Sequence, residues 1–209
     1  MKIFLFITLM MTTFVKASAE TELQIIRVLP LEGRGEGLDI NEGFLWEAEA
    51  NDRWLKKIDP QTGTVLSTYS SPTLYPESLA WMETNELLHI DFKRRDVALG
   101  ELNEDGKFTF KQIGNLKEIG FGLAKRNSSS FWVTGYYSPE IYLYSYPGLK
   151  VLETITTPLQ NVEDLAWDGT HLWSSDFRDD DKKLIYKISS TTGDVVETYH
   201  LPGEEVCGM

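Results

Sequence analysis

The chain aligns with itself at a spacing of about 40 residues, and four segments fall into one register. Each opens on a leucine flanked by small or polar residues: Gly37-Leu38-Asp39-Ile40, Ser78-Leu79-Ala80-Trp81, Gly122-Leu123-Ala124-Lys125 and Asp164-Leu165-Ala166-Trp167. After a polar turn comes a second apolar segment, at 44–49, 87–92, 131–135 and 171–177. Third segments follow at 54–58, 97–102, 141–146 and 184–188, and fourth ones at 65–70, 108–113, 151–156 and 195–201. Turns such as Asp59-Pro60-Gln61-Thr62-Gly63 and Ser189-Ser190-Thr191-Thr192-Gly193 separate the last two, with glycine supplying the positive φ of a tight hairpin. The fourth segments are rich in Val, Thr and Tyr, as half-buried strands are. No stretch of ten or more residues carries the apolar period of a helix. The expectation is therefore an all-β chain of four four-stranded units, the blades of a β-propeller.

One segment exceeds that count. Residues 23–30 look like an outer strand, and they precede the first leucine strand as the other outer strands precede theirs. In a closed ring an N-terminal outer strand completes a last blade whose other three strands lie at the C-terminus. Here the fourth unit already has its own outer strand. One outer strand plus four units relates the chain to a five-bladed ring, with three arrangements open: four closed blades and a displaced strand, an open ring with exposed edges, or a shortened five-bladed protein.

Met1-Lys2, the apolar run 3–15 and Lys16-Ala17-Ser18-Ala19 have the three parts of a secretory signal, so residues 1–19 are read as a signal peptide. Residues 20–209 are read as one propeller domain, secreted or periplasmic, without a membrane span. Removing Lys2 and Lys16 from the 20 basic residues leaves 18 against 32 acidic ones, a net charge of −14. Such a chain repels nucleic-acid phosphates and anionic lipid and suits neutral or cationic ligands and peptides. Cys207 is the single cysteine, which excludes an internal disulfide. Asn127-Ser128-Ser129 is a glycosylation sequon, relevant only in a host that glycosylates.

Metal-ligand spacings are absent: His89, His171 and His200 are scattered along different strands and are read as structural. There is no phosphate-binding glycine loop or nucleophile elbow, which argues against phosphoryl transfer and serine hydrolysis. The stretch 176–181, with Lys182 and Lys183, reads as a solvated turn, with a calcium loop as the alternative. Trp46, Trp54, Trp132, Trp173, Tyr136 and Tyr137 read as packing between blades.

In a propeller the first strand of each blade lines the central channel. Its entry residues here are Glu36-Gly37, Glu77-Ser78, Phe121-Gly122 and Glu163-Asp164. Three of these four pairs bring carboxylates toward one axis. Carboxylates crowded in a partly desolvated space repel, so at least one should hold its proton near neutrality and be able to exchange it. Solvated rims or a cation site are the alternatives.

The order of these entry motifs resembles the plant and bacterial type of glutaminyl-peptide cyclotransferase, over residues 23–203. That family is a five-bladed propeller forming N-terminal pyroglutamate from glutamine without a metal. Its first entry, Phe-Thr-Gln-Gly-Leu, corresponds to Arg34-Gly35-Glu36-Gly37-Leu38, and its second, Phe-Gly-Glu-Gly-Leu, to Tyr75-Pro76-Glu77-Ser78-Leu79. Its third, Gly-Trp-Gly-Leu, corresponds to Gly120-Phe121-Gly122-Leu123, and Asn-Glu-Leu-Glu is matched loosely by Glu163-Asp164-Leu165-Ala166, with Asn161 nearby. Family tryptophans at the ends of second strands fall on Phe92 and Phe177. The resemblance implies that Glu77 is the catalytic proton shuttle and that Glu36, Phe92, Phe121, Glu163 and Phe177 bind substrate. It also implies that no cofactor is used and that the partner is a peptide or protein with N-terminal Gln. Glu36, Glu163 and Phe121 replace the family's Gln, Asn and Trp, and no fifth-blade segment is present. A divergent cyclotransferase and a non-catalytic propeller binding through an acidic channel both remain open.

Overall fold

The computed structural model describes residues 21–22, 28–29, 33–176 and 184–200. The described residues form seventeen strands and no helix. Strand β1 is Thr21–Glu22. Blade 1 is β2 (Gly35–Asn41), β3 (Phe44–Glu49), β4 (Trp54–Ile58) and β5 (Val65–Ser70); blade 2 is β6 (Pro76–Glu83), β7 (Glu86–Asp91), β8 (Asp96–Leu102) and β9 (Phe108–Asn115). Blade 3 is β10 (Gly120–Asn127), β11 (Ser130–Gly135), β12 (Glu140–Ser145) and β13 (Val151–Thr156). Blade 4 is β14 (Ala166–Trp167), β15 (His171–Ser174), β16 (Leu184–Ser189) and β17 (Val195–His200). Within each blade the four strands are antiparallel and ordered as in the chain. This is the expected propeller of four four-stranded blades.

Local chemistry explains the hairpins. Between β2 and β3 both Glu42 (φ 50°) and Gly43 (φ 77°) are left-handed, the backbone that suits the right-handed twist of a two-residue hairpin. Between β4 and β5 the Asp59 carboxylate accepts the Gln61 N–H at 2.7 Å, and Gly63 (φ 73°) donates to Asp59 O at 2.8 Å.

Three buried apolar clusters hold neighbouring blades together. Trp46, Ala48 and Leu55 pack on Leu79, Trp81 and Leu87 between blades 1 and 2. Leu88, Ile90 and Leu99 meet Leu123, Phe131 and Val133 between blades 2 and 3. Trp132, Leu143 and Ile155 meet Leu165, Leu172 and Ile188 between blades 3 and 4. The pattern runs one way round. Trp46 and Trp132 face the following blade, each 1% exposed, and Trp46 lies edge-on to Trp81 at 4.8 Å. Trp173 holds the same pairing position in blade 4. It is only half-buried, against Tyr199 at 5.2 Å and Lys187 at 5.3 Å. Among the described residues no apolar cluster joins blade 4 to blade 1.

Most of the segment 23–30 lies outside the described residues. Its neighbour β1 adds to β17 in parallel, with Thr21 opposite Tyr199 and Glu22 opposite His200, so the last sheet has five strands. At these two residues the backbone makes an extra edge strand on blade 4. The expected signal peptide, Cys207 and the end of the last outer strand also fall outside the described residues.

At the centre, inner strands approach backbone to backbone. A Cβ on Gly37 would lie 2.6 Å from Ser78 Cα, and one on Gly122 would lie 2.7 Å from Glu163 O and from Leu165 N. Only glycine fits there. Gly122→Ala is expected to lower unfolding stability by about 1–3 kcal/mol through overpacking against immovable backbone, which urea denaturation of the two proteins would measure.

Candidate functional site

Hydrogen bonds fix which residues are equivalent at the entry end of the blades. Ala50 donates its N–H to Arg34 O at 2.9 Å, Phe92 to Tyr75 O at 3.1 Å, and Tyr136 to Ile119 O at 2.8 Å. Two residues beyond each acceptor stand Glu36, Glu77 and Phe121, at the start of the inner strands. Glu163 occupies that place in blade 4, where its N–H donates to Ser175 O at 3.1 Å and its Oε2 accepts the Ser175 hydroxyl at 3.0 Å.

A carboxylate from the end of the second strand ties down each entry loop but one. Asp91 accepts the Leu74 N–H at 2.7 Å and the Lys93 N–H at 2.6 Å. Asp176 accepts those of Gln160 at 2.7 Å and Asn161 at 3.1 Å. Glu49 accepts those of Arg34, Asn51 and Asp52 at 2.9, 3.0 and 2.9 Å. Burial pushes the Glu49 carboxyl up, but these three N–H groups outweigh it and hold it below its usual range. Blade 3 has Gly135 instead, where a Cβ would lie 2.9 Å from Glu118 Oε2. Asp176, expected in a solvated turn, is thus a buried loop anchor, 6% exposed. The rest of that stretch, Phe177 included, lies outside the described residues.

Behind the loop of blade 2, His89 is fully buried. Its Nδ1 meets Ser78 O at 2.9 Å, and its Nε2 meets the Ser71 and Thr73 hydroxyls at 2.9 and 3.0 Å. Burial lowers its pKa to about 4, so it stays a neutral strut holding the backbone next to Glu77.

Glu77 itself is 6% exposed. Burial drives its pKa up to about 9, the charges of Glu36, Asp164 and Glu163 push the same way, and Arg34 opposes them. No hydrogen bond from a described residue anchors its carboxyl. Glu36 is raised by burial too, but the Tyr75 hydroxyl donates to it at 3.0 Å and Arg34 Nε pairs with it at 2.5 Å. Tyr75, desolvated and held by Glu36, is pushed up to about 12. Beside the carboxyls stands an aromatic wall. Phe92 contacts Tyr75 at 5.3 Å, Phe121 at 5.6 Å and Tyr136 at 4.7 Å, and Phe121 meets Tyr136 at 5.6 Å.

The sequence-derived residues Glu36, Glu77, Phe92, Phe121 and Glu163 therefore gather at one end of the inner strands. The structure adds Arg34, Tyr75 and Tyr136, which sequence reasoning passed over or assigned to blade packing. Their signal was available in the repeat register, since Tyr75 stands where Arg34 does and Tyr136 where Phe92 does. Of the other aromatics expected between blades, Trp54 is half-buried and Tyr137 is 48% exposed. Among the described residues no three His, Cys, Asp or Glu side chains could hold a metal ion. The opposite end of the inner strands opens into a cavity of about 340 Å³ lined by Leu38, Leu123, Leu165 and Trp167, with Asp39 and Lys125.

No family model and no curated protein matches the sequence. Solved structures do match in fold. The glutaminyl cyclase of Myxococcus xanthus superposes with a TM-score of 0.73 at 14% identity, over 85% of this chain and 76% of that one. The WD40 propeller domain of Doa1 gives 0.56 at 15% identity, over 82% of this chain and 55% of its own. The hydrazine synthase of Kuenenia stuttgartiensis gives 0.55 at 15% identity, over 84% and 51%. At these identities what is shared is the propeller.

A carboxyl that keeps its proton in the fold and loses it in the unfolded chain makes the folded state the better proton binder. Stability then falls as pH rises from the ordinary 4.5 of Glu77 to its folded value of about 9. Melting temperatures taken from pH 5 to 9 should show wild type losing ground steadily to Glu77→Gln. Parallel curves would mean that Glu77 ionises normally.

Proposed function

We propose that this protein is an exported glutaminyl-peptide cyclotransferase, closing an N-terminal glutamine to pyroglutamate with release of ammonia. The observation that carries the reading is the Glu77 carboxyl, buried among like charges against an aromatic wall at the mouth of the inner strands. The fold shared with a glutaminyl cyclase supports it.

A peptide N-terminus arrives as an ammonium ion. Its charge suits the mouth lined by Glu36, Glu163 and Asp164, and its approach offsets the repulsion that keeps Glu77 protonated. Glu77 then ionises, its proton going to water, and the ammonium gives one proton to solvent, freeing the amine lone pair. The amine nitrogen bonds to the γ-carboxamide carbon of its own residue, giving a five-membered ring, and the Glu77 carboxylate takes one of the two protons on that nitrogen. As the carbon–nitrogen bond to the carboxamide breaks, Glu77 returns the proton to the departing nitrogen, which leaves as ammonia. One shuttle therefore serves both halves of the exchange. Phe92, Phe121 and Tyr136 hold the aliphatic stem and keep water from the carboxyls, while Tyr75 and Arg34 fix Glu36 and leave Glu77 to move the proton.

A second reading, a peptide-binding propeller without turnover, is favoured by a different observation. The Tyr75 hydroxyl is committed to Glu36, and the Arg34 guanidinium is paired there too, so neither donor is poised for a developing oxyanion. Residues 20–209 incubated with a short peptide beginning in Gln should lose one ammonia by mass spectrometry, and Glu77→Gln should reduce kcat/KM by about 10²–10⁴. No loss from a folded wild-type protein would leave the binding reading.

A further inference from the structure

The aromatic wall does not end at the mouth. It continues outward on blade 3 through Tyr137, whose ring lies 3.9 Å from that of Tyr136. Tyr137 is 48% exposed and has a φ of 55°. It is the third residue of a turn closed by the Ser138 N–H on Gly135 O at 3.2 Å, a place where glycine or asparagine would sit without strain. A large aromatic residue held in the left-handed region on a surface is costly for the fold and adds little to its core. Lys93 occupies the same turn position in blade 2, and its ammonium lies 5.1 Å over Tyr75 and 4.8 Å over Phe92. A cation thus lies over the blade 2 end of the wall, and at the blade 3 end Tyr137 is half exposed. Stacked tyrosines offer rigid apolar area with little side-chain entropy to lose, which is how surfaces that grip side chains are made.

We propose that Phe92, Tyr136 and Tyr137 form a subsite for the residue that follows the N-terminal one in a bound peptide, and that it selects aromatic and large apolar side chains. This rests on the reading of the mouth as a site for peptide N-termini. The strip begins where the stem of the first residue lies, and the next side chain along an extended peptide reaches outward along it. The acidic mouth orients the ammonium, and the strip then distinguishes one peptide from another.

Two tripeptide amides, Gln-Phe-Ala and Gln-Ser-Ala, supply the test, with wild type, Tyr137→Asn and Tyr137→Phe compared. Asparagine tolerates a positive φ, so Tyr137→Asn should melt no lower than wild type. Wild type should favour the Phe peptide at least fivefold in kcat/KM, Tyr137→Phe should keep that preference, and Tyr137→Asn should bring the two peptides within twofold. Equal handling by wild type, or a preference surviving in Tyr137→Asn, overturns the subsite. Should neither peptide release ammonia, the cyclisation reading fails by itself. The subsite is then decided by dissociation constants for the same peptides from calorimetry, with the same fivefold and twofold criteria.

Discussion

Inner strands of neighbouring blades touch backbone to backbone at Gly37 against Ser78 and at Gly122 against Glu163 and Leu165, and the rest of the molecule is arranged around that approach. It sets the radius of the channel. Glu36 and Glu77, each one residue before a touching position, and Glu163, at one, thereby share an electrostatic environment although they are far apart in the chain. A wider ring would let water between Glu36, Glu77 and Glu163, and their mutual effect would fade. The same approach leaves no room for a side chain at Gly37 or Gly122, and Phe92 and Tyr136, just past the ends of second strands, add their bulk beside Phe121.

The mouth divides its polar groups into held and unheld. Arg34 and Tyr75 grip Glu36, and Ser175 grips Glu163, whereas Glu77 meets burial and negative charge without a hydrogen bond from a described residue. A carboxyl in that position changes protonation when a cation arrives. The loop anchors Asp91, Asp176 and Glu49 serve the same end, since they absorb main-chain N–H groups that would otherwise solvate the mouth.

Much of this was legible in the sequence because blades obey local rules. The repeat placed β3, β4, β5 and β13 at their observed bounds, since alternating apolar residues between glycine turns leave one register. It also brought Glu36, Glu77, Phe92, Phe121 and Glu163 to one end. What it missed depends on contacts between repeats. Tyr75 matters because its hydroxyl reaches a carboxylate 39 positions away, and Asp91 because it folds back on a loop 16 to 17 residues earlier. Asp176 looked like part of an acidic turn because adjacent aspartates hid the one that the repeat singles out. Trp173 matched Trp46 and Trp132 in sequence, and only the structure distinguishes the two tryptophans buried against a following blade from one left half-buried.

That last difference bears on how the molecule opens. Repeats stacked side by side are stabilised through their interfaces, so a unit with one apolar seam separates at lower energy than a unit with two. Blade 4 shares a seam with blade 3 alone among the described residues, its inner strand is two residues long, and β1 lies along its outer edge. It also carries Glu163 and Asp164. One wall of the mouth thus belongs to an end unit held through one apolar seam, as blade 1 on the other side is, so local opening of either end unit uncovers the carboxyls while the seam between blades 2 and 3 stays closed.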